Sequence, residues 1–137
     1  MKNKILSWQP FHPDLAALLL RLIYGGLFVQ YGLRKILAFD QMLTMSQPII
    51  GLDGKTALIL VTIAEFGCGL LVAIGFLTRL SVIPIFFTMT VAFFVAHAAD
   101  PFDVKALAFV FWLLSIVVFV LGSGRYSVDR LLFKRAG

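Results

Sequence analysis

Apolar residues along this chain gather into four runs, 15–33, 57–77, 82–99 and 104–122. Each is close to the roughly 20 residues that a helix needs to cross about 30 Å of hydrocarbon. Polar punctuation borders them: Asp14 precedes the first run, Asp53 and Thr56 flank the second, Asp100 and Asp103 precede the fourth, and Gly122-Ser123-Gly124 closes it. Pro84 is expected in the first turn of the third helix, where a missing N–H costs little. "HAADPFD" reads as a tight turn joining the third and fourth helices. No small-residue cleavage site follows the first run, so a secretory signal peptide is not expected.

The connection from Ala38 to Lys55 is long for a helical bundle and is not simply polar, since Phe39, Met42, Leu43, Met45, Ile49, Ile50 and Leu52 lie in it. It reads as a short interfacial helix before Pro48 and a turn through "GLDGK" after it. At the two ends, "ILSWQPFH" and "SVDRLLFKR" alternate apolar anchors with basic residues, and Trp8 and Tyr126 suit the headgroup layer. The expected fold is all-α: a polytopic membrane protein with one domain over residues 1–137, a bundle of four transmembrane helices, and short interfacial helices in the first loop and at the termini.

Composition agrees with that pattern. Apolar residues make up 61% of the chain and charged residues 14%, and fourteen Phe would patch a water-facing surface badly. The net charge of +5 has no soluble basic domain to present it, so nucleic acid is not an expected partner and membrane lipids are. The charge serves topology instead. One side carries Lys2, Lys4, Arg79, Arg125, Arg130, Lys134 and Arg135, and the other Arg34, Lys35, Lys55 and Lys105. Seven against four puts both termini in the cytoplasm of a bacterial cell with the chain in its cytoplasmic membrane. A single cysteine, Cys68, excludes an internal disulfide and any CxxC metal framework. No phosphate-binding loop or nucleophile elbow is present.

The candidate chemistry lies in the polar residues inside the runs. Arg21 costs about 2.5 to 3.5 kcal/mol at the bilayer centre, against roughly 0.3 to 0.6 gained per Leu, Ile, Phe or Val, so the first helix still inserts. At 100° per residue, Arg21, Gly25, Phe28, Gly32 and Lys35 form one stripe, with Tyr24 and Tyr31 on its flank and Gln30 and Arg34 opposite. Glu65 shares a face with Thr62, Gly69 and Val72, and His97 aligns with Thr90, Phe86 and Phe93. Arg21 and Glu65 are separated in depth by about 9 Å, which leaves open a direct pair, a bridge through water or Tyr24, or no pair. Together Arg21, Tyr31, Lys35, Glu65 and His97 are the candidate ligand-binding residues of a polar core, because ionisable groups inside membrane spans mark sites and pathways. His97 lacks a second histidine at ligand spacing and His12 belongs to the opposite side, so neither metal nor haem is expected. Cys68, among Ala64, Gly67, Gly69 and Ala73, is read as packing at a close helix contact.

On "LRLIYGGLFVQYGLRKIL", "AEFGCGLLVAIGFLTRL", "AFFVAH" and "GSGRYSVDRLL", in that order and spacing from about Leu18 to Leu131, the chain resembles the DoxX family of small four-helix membrane proteins. The family takes its name from a membrane subunit of a thiosulfate:quinone oxidoreductase. The resemblance implies a redox association, and it carries the family's polar pattern onto Arg21, Gly32, Lys35, Glu65, Arg79 and His97. Gln30-Tyr31 stands where many relatives carry histidine or another aromatic, so thiosulfate is not the expected substrate.

Two functions follow as expectations. In the first, the chain is a non-autonomous subunit of a membrane redox system, working with a partner redox protein. It binds a quinone or similar lipophilic molecule, with no covalently bound cofactor. Phe28, Tyr31, Phe86 and Phe93 would pack the ring, and Lys35, Glu65 or His97 would bond its oxygens. In the second, it is a non-enzymatic scaffold, assembly or permeation protein whose buried charges set helix register. Whether it catalyses a reaction is left open. Small residues on its helices allow a homo-oligomer in either case.

Overall fold

A computed structural model describes residues 4–133. After a short 3-10 turn at Lys4–Leu6, the chain forms α1 (Pro13–Leu37), α2 (Phe39–Met45), α3 (Gly54–Ile74), α4 (Thr78–Ala96), α5 (Phe102–Leu121) and α6 (Val128–Phe133). Among the described residues α1, α3, α4 and α5 are long and apolar enough to cross a membrane, as the four runs predict. α2 and α6 occupy the places expected for short interfacial helices. Lys2, Lys134 and Arg135, which enter the charge comparison, lie outside the described residues.

Local chemistry sets the borders. His12 Nδ1 accepts from Leu15 N at 3.2 Å ahead of Pro13, so the cap of α1 is the histidine and not Asp14. Asp53 caps α3 by accepting from Thr56 N at 2.9 Å. α3 ends at Gly75, whose φ of +79° lets the N–H groups of Gly75 and Phe76 both return to Leu71 O, at 3.0 and 2.9 Å. The turn after Pro48 is closed by reciprocal Ile49 and Leu52 backbone hydrogen bonds of 2.9 and 2.8 Å.

One border differs from expectation. α4 begins at Thr78, so Pro84 lies inside the helix and not in its first turn. The sequence pattern places the start later because Thr78, Arg79 and Ser81 interrupt the apolar run. In the structure a carboxylate from the far end of the chain holds that first turn in place, as described below.

The spans run up and down, with α1 packed along α3, α3 on α4, α4 on α5, and α5 closing back on α1. Tyr24, Phe28, Val72, Val82, Ile85, Met89, Phe111 and Val118 fill the centre. α1 and α3 approach closely through small residues: a Cβ on Gly25 would meet Gly69 O at 2.5 Å, and one on Gly32 would meet Phe66 N at 2.5 Å. Ala64 and Gly69 are buried at this contact, whereas Gly67 has nothing within 4 Å of a Cβ position and plays no part in it. Large apolar side chains such as Ile23, Leu60, Ile83, Phe87, Leu107 and Val120 remain exposed around the outside, as lipid-facing residues of a bundle do.

Candidate functional site

The stripe predicted on α1 is the buried one: Arg21, Tyr24, Gly25, Phe28 and Gly32 face inward, while Gln30 and Arg34 are exposed. The structure divides its charges between two ends of the bundle.

At the end carrying the termini, Arg21 is 1% exposed. Its Nη1 donates to Ala73 O at 3.0 Å and, more weakly, to Val72 O at 3.4 Å, carbonyls in the last turn of α3, of which Val72 O also accepts from Gly75 N at 3.1 Å. Its Nη2 donates to Tyr126 O. Arg21 Nε is the one buried side-chain N or O atom among the described residues without a partner. A cation at a helix C-terminus also meets the negative end of the helix dipole. Arg21 does not pair with Glu65. It lies level with Gly75, where a Cβ would come 2.6 Å from Nη1, and ten residues of helix, about 15 Å, separate that position from Glu65.

Two neighbours repeat this arrangement. Arg79, in the first turn of α4, donates through Nε to Phe119 O at 2.8 Å and through Nη2 to Val120 O at 3.2 Å, covering the end of α5. Asp129 of α6 accepts from Leu77 N at 2.7 Å and Thr78 N at 3.2 Å, capping α4 from outside its own sequence. Ser123 donates its one proton to the Asp129 carboxylate, and its oxygen lies 2.8 Å from Thr78 Oγ1. Burial works to raise the pKa of Asp129. The hydrogen bonds from Ser123, Leu77 and Thr78, with the nearby Arg21 charge, outweigh it and hold the carboxyl below its ordinary value. Asp14 adds a fourth tie by accepting from Arg125 N at 3.2 Å.

The second charged group lies towards the opposite, loop end. Lys35 Nζ donates to Glu65 Oε1 at 2.7 Å, with the lysine side chain 23% and the glutamate side chain 7% exposed. Depth along the helices alone sets these residues apart. Side chains on a helix point back towards its N-terminus, and the long lysine stem covers the remaining distance. Glu65 sits in a π-helical stretch, Ile63–Cys68, whose wider turn alters the helical register, and such stretches are frequent at functional sites. A second one, Ala92–Ala96, ends α4.

This ion pair is only partly satisfied. Among the described residues Lys35 uses one of its three donors, Glu65 Oε2 accepts no hydrogen bond, and the Tyr31 hydroxyl has no hydrogen-bond partner. Tyr31 packs edge-on against Phe28 and Phe111, with ring centres 6.0 and 6.1 Å away. Tyr24 is closed off differently, its hydroxyl bonded to Ser115 within the core. His97 lies apart from the core: it ends α4, is about half exposed, and holds Asp100 Oδ2 at 2.7 Å from Nδ1.

The four aromatic residues expected to hold a ring are also divided. Phe28 and Tyr31 belong to a cluster with Tyr24 and Phe111. Phe86 stacks on Trp112, and Phe93 packs with Phe94 and Phe109 under the Lys105 ammonium. Among the described residues no three metal-ligating side chains come together. Sequence reasoning misses Asp129 and Ser123, since nothing in "GSGRYSVDR" says which helix end they serve. The only signal is an acidic residue in an otherwise basic tail.

These features define a four-helix integral membrane bundle with a capped end and a half-satisfied ion pair towards its loop end. Residues 16–98, more than half of the chain, match the DoxX family, and the protein belongs to it. It is 30% identical to an uncharacterized membrane protein of Mycobacterium tuberculosis, over 85% of this chain and 81% of that relative. No solved structure matches the chain.

Proposed function

We propose that the protein binds a quinone or a similar lipophilic molecule at the loop-side half of its bundle, as a non-autonomous subunit of a membrane redox system. The observation that carries this reading is the Lys35–Glu65 pair, a charged group inside membrane helices with unused donors and an unused acceptor. Lys35 supplies a hydrogen bond to a quinone carbonyl, and Glu65 Oε2 is placed to accept or return a proton. Tyr31 adds a hydroxyl on an aromatic wall made with Phe28 and Phe111. Reduction of a quinone to a quinol takes two electrons and two protons. The electrons come from a partner redox protein and the protons through groups such as Glu65. Arg21 and His97, the other candidates, serve here as a helix-end clamp and as an exposed pair with Asp100.

The test is extraction of protein purified from native membranes for isoprenoid quinone, with a thermal-shift titration using a short-chain ubiquinone or menaquinone. Copurified quinone, and a shift lost in Glu65→Gln and Lys35→Met, are the expected results. Absence of both in the wild type overturns the reading. The scaffold alternative draws on the close α1–α3 contact, and it predicts that function survives Glu65→Gln but not a bulky residue at Gly69.

We place both termini in the cytoplasm of a bacterial cell. The Lys35 side chain turns into the bundle to meet Glu65, and Arg34, Lys55 and Lys105 are the remaining loop-side cations, fewer than those on the termini side. Labelling of cysteines introduced at Arg125 and Lys55 in intact cells checks this orientation, and labelling at Arg125 alone reverses it.

A further inference from the structure

At the termini end, a cleft of about 440 Å³ opens between the start of α4, the residues after α5, and α6. Thr78, Arg79, Leu80, Ser123, Arg130 and Phe133 are among its lining residues. Asp129 also lines it, but its carboxylate is already engaged by the Leu77 and Thr78 N–H groups and by Ser123. The two guanidinium groups are not. Arg79 spends Nε and Nη2 on the end of α5 and leaves Nη1 without an acceptor, and the Arg130 side chain makes no hydrogen bond among the described residues.

The rim has the opposite character. Leu80 is 61% and Phe133 48% exposed beside the arginines. Two arginines lining one cleft, each with guanidinium N–H groups to spare, suit a phosphate, which guanidinium forks bind well. An apolar lip at the end of membrane-spanning helices suits the acyl chains attached to that phosphate. We infer that this cleft binds the headgroup phosphate of one anionic membrane phospholipid, with Arg79 and Arg130 on the phosphate and Leu80 and Phe133 along the chains. The basic tail then recognises a lipid in addition to anchoring the chain, and the site is separate from the Lys35–Glu65 pair.

Native mass spectrometry of the full chain, released from nanodiscs of phosphatidylcholine containing phosphatidylglycerol, reads retained lipid directly. The wild type is expected to retain one phosphatidylglycerol in preference to phosphatidylcholine. Arg130→Ala should lower that preference about fivefold, the scale of one basic residue acting on an anionic lipid surface. Arg130→Lys should retain most of it, which separates loss of charge from loss of folding. Arg125→Ala, which removes a cation at the same end but outside the cleft, should leave it unchanged. An equal fall in Arg125→Ala and Arg130→Ala, or no preference in the wild type, overturns the inference. Displacement of the lipid by millimolar inorganic phosphate also overturns it, since the site would then recognise a free anion.

Discussion

Lys35 Nζ and Glu65 Oε1 are 2.7 Å apart, joining the loop end of α1 to a π-helical stretch in the middle of α3. Arg21 and Glu65 are the charged residues set deepest in these two helices. They are not each other's partner. Arg21 is bound by carbonyls at the far end of α3, and Glu65 by a lysine that the stripe on α1 had placed nearest the loops. The bundle thus has one end closed by helix caps and, away from it, an ion pair with capacity to spare.

Removing one member of that pair should cost more than removing both. Lys35→Met strands a mostly buried carboxylate and is expected to lower stability by about 1.5 to 3 kcal/mol, the range for hydrogen bonds to charged groups. The double variant Lys35→Met/Glu65→Leu should recover much of the loss, because it leaves no charge to desolvate. Thermal unfolding in detergent of the two single variants and the double variant checks this, and additive losses would contradict it.

Acid should loosen the termini end first. The folded state holds Asp129 below its ordinary pKa, so its stabilising contribution is fully present above about pH 4, the unfolded value, and is lost as pH falls through the lower folded value. Asp129→Ala is expected to cost about 0.5 to 2 kcal/mol at neutral pH, as for other helix N-caps. The difference between wild type and variant should shrink with acid, which melting temperatures between pH 7 and pH 2.5 would show.

Gly75 is a position where even a methyl group should do harm. Its φ is +79°, and a Cβ would stand 2.5 Å from the Ser127 Cβ and 2.6 Å from Arg21 Nη1. Gly75→Ala is expected to lose about 1 to 3 kcal/mol through strain and displacement of Arg21. Gly26→Ala, with nothing within 4 Å of its Cβ position, should be tolerated. Comparing the melting temperatures of the two variants is the check.

The contact between α1 and α3 should respond to size in the same way. Gly25→Ala and Gly32→Ala push a Cβ to 2.5 Å from the backbone of α3 and are each expected to cost about 1 to 3 kcal/mol, while Gly67→Ala should be near neutral. Hydrogen exchange of Gly69 and Ala73 should rise in the first two variants alone.

The spans, their number and the inward stripe on α1 were legible because each depends on local information: run length against bilayer thickness, and angular spacing around one helix. Asp53 as a cap and Gly122 at the end of α5 were legible for the same reason, since each acts on its own helix. The true start of α4 was not, because its cap, Asp129, is about fifty residues downstream.

The candidate site shows the same division. Sequence alone determined that Arg21, Tyr31, Lys35 and Glu65 belong to inward faces or their flanks, because burying a charge in lipid is costly enough to dictate which way it points. Tertiary structure decided who meets whom. Contacts between helices depend on side-chain reach, on the extra residue in a π turn, and on how closely glycines let two backbones approach. None of these appears in the periodicity of a single strand of sequence, and together they gave Glu65 to Lys35 and Arg21 to the end of α3.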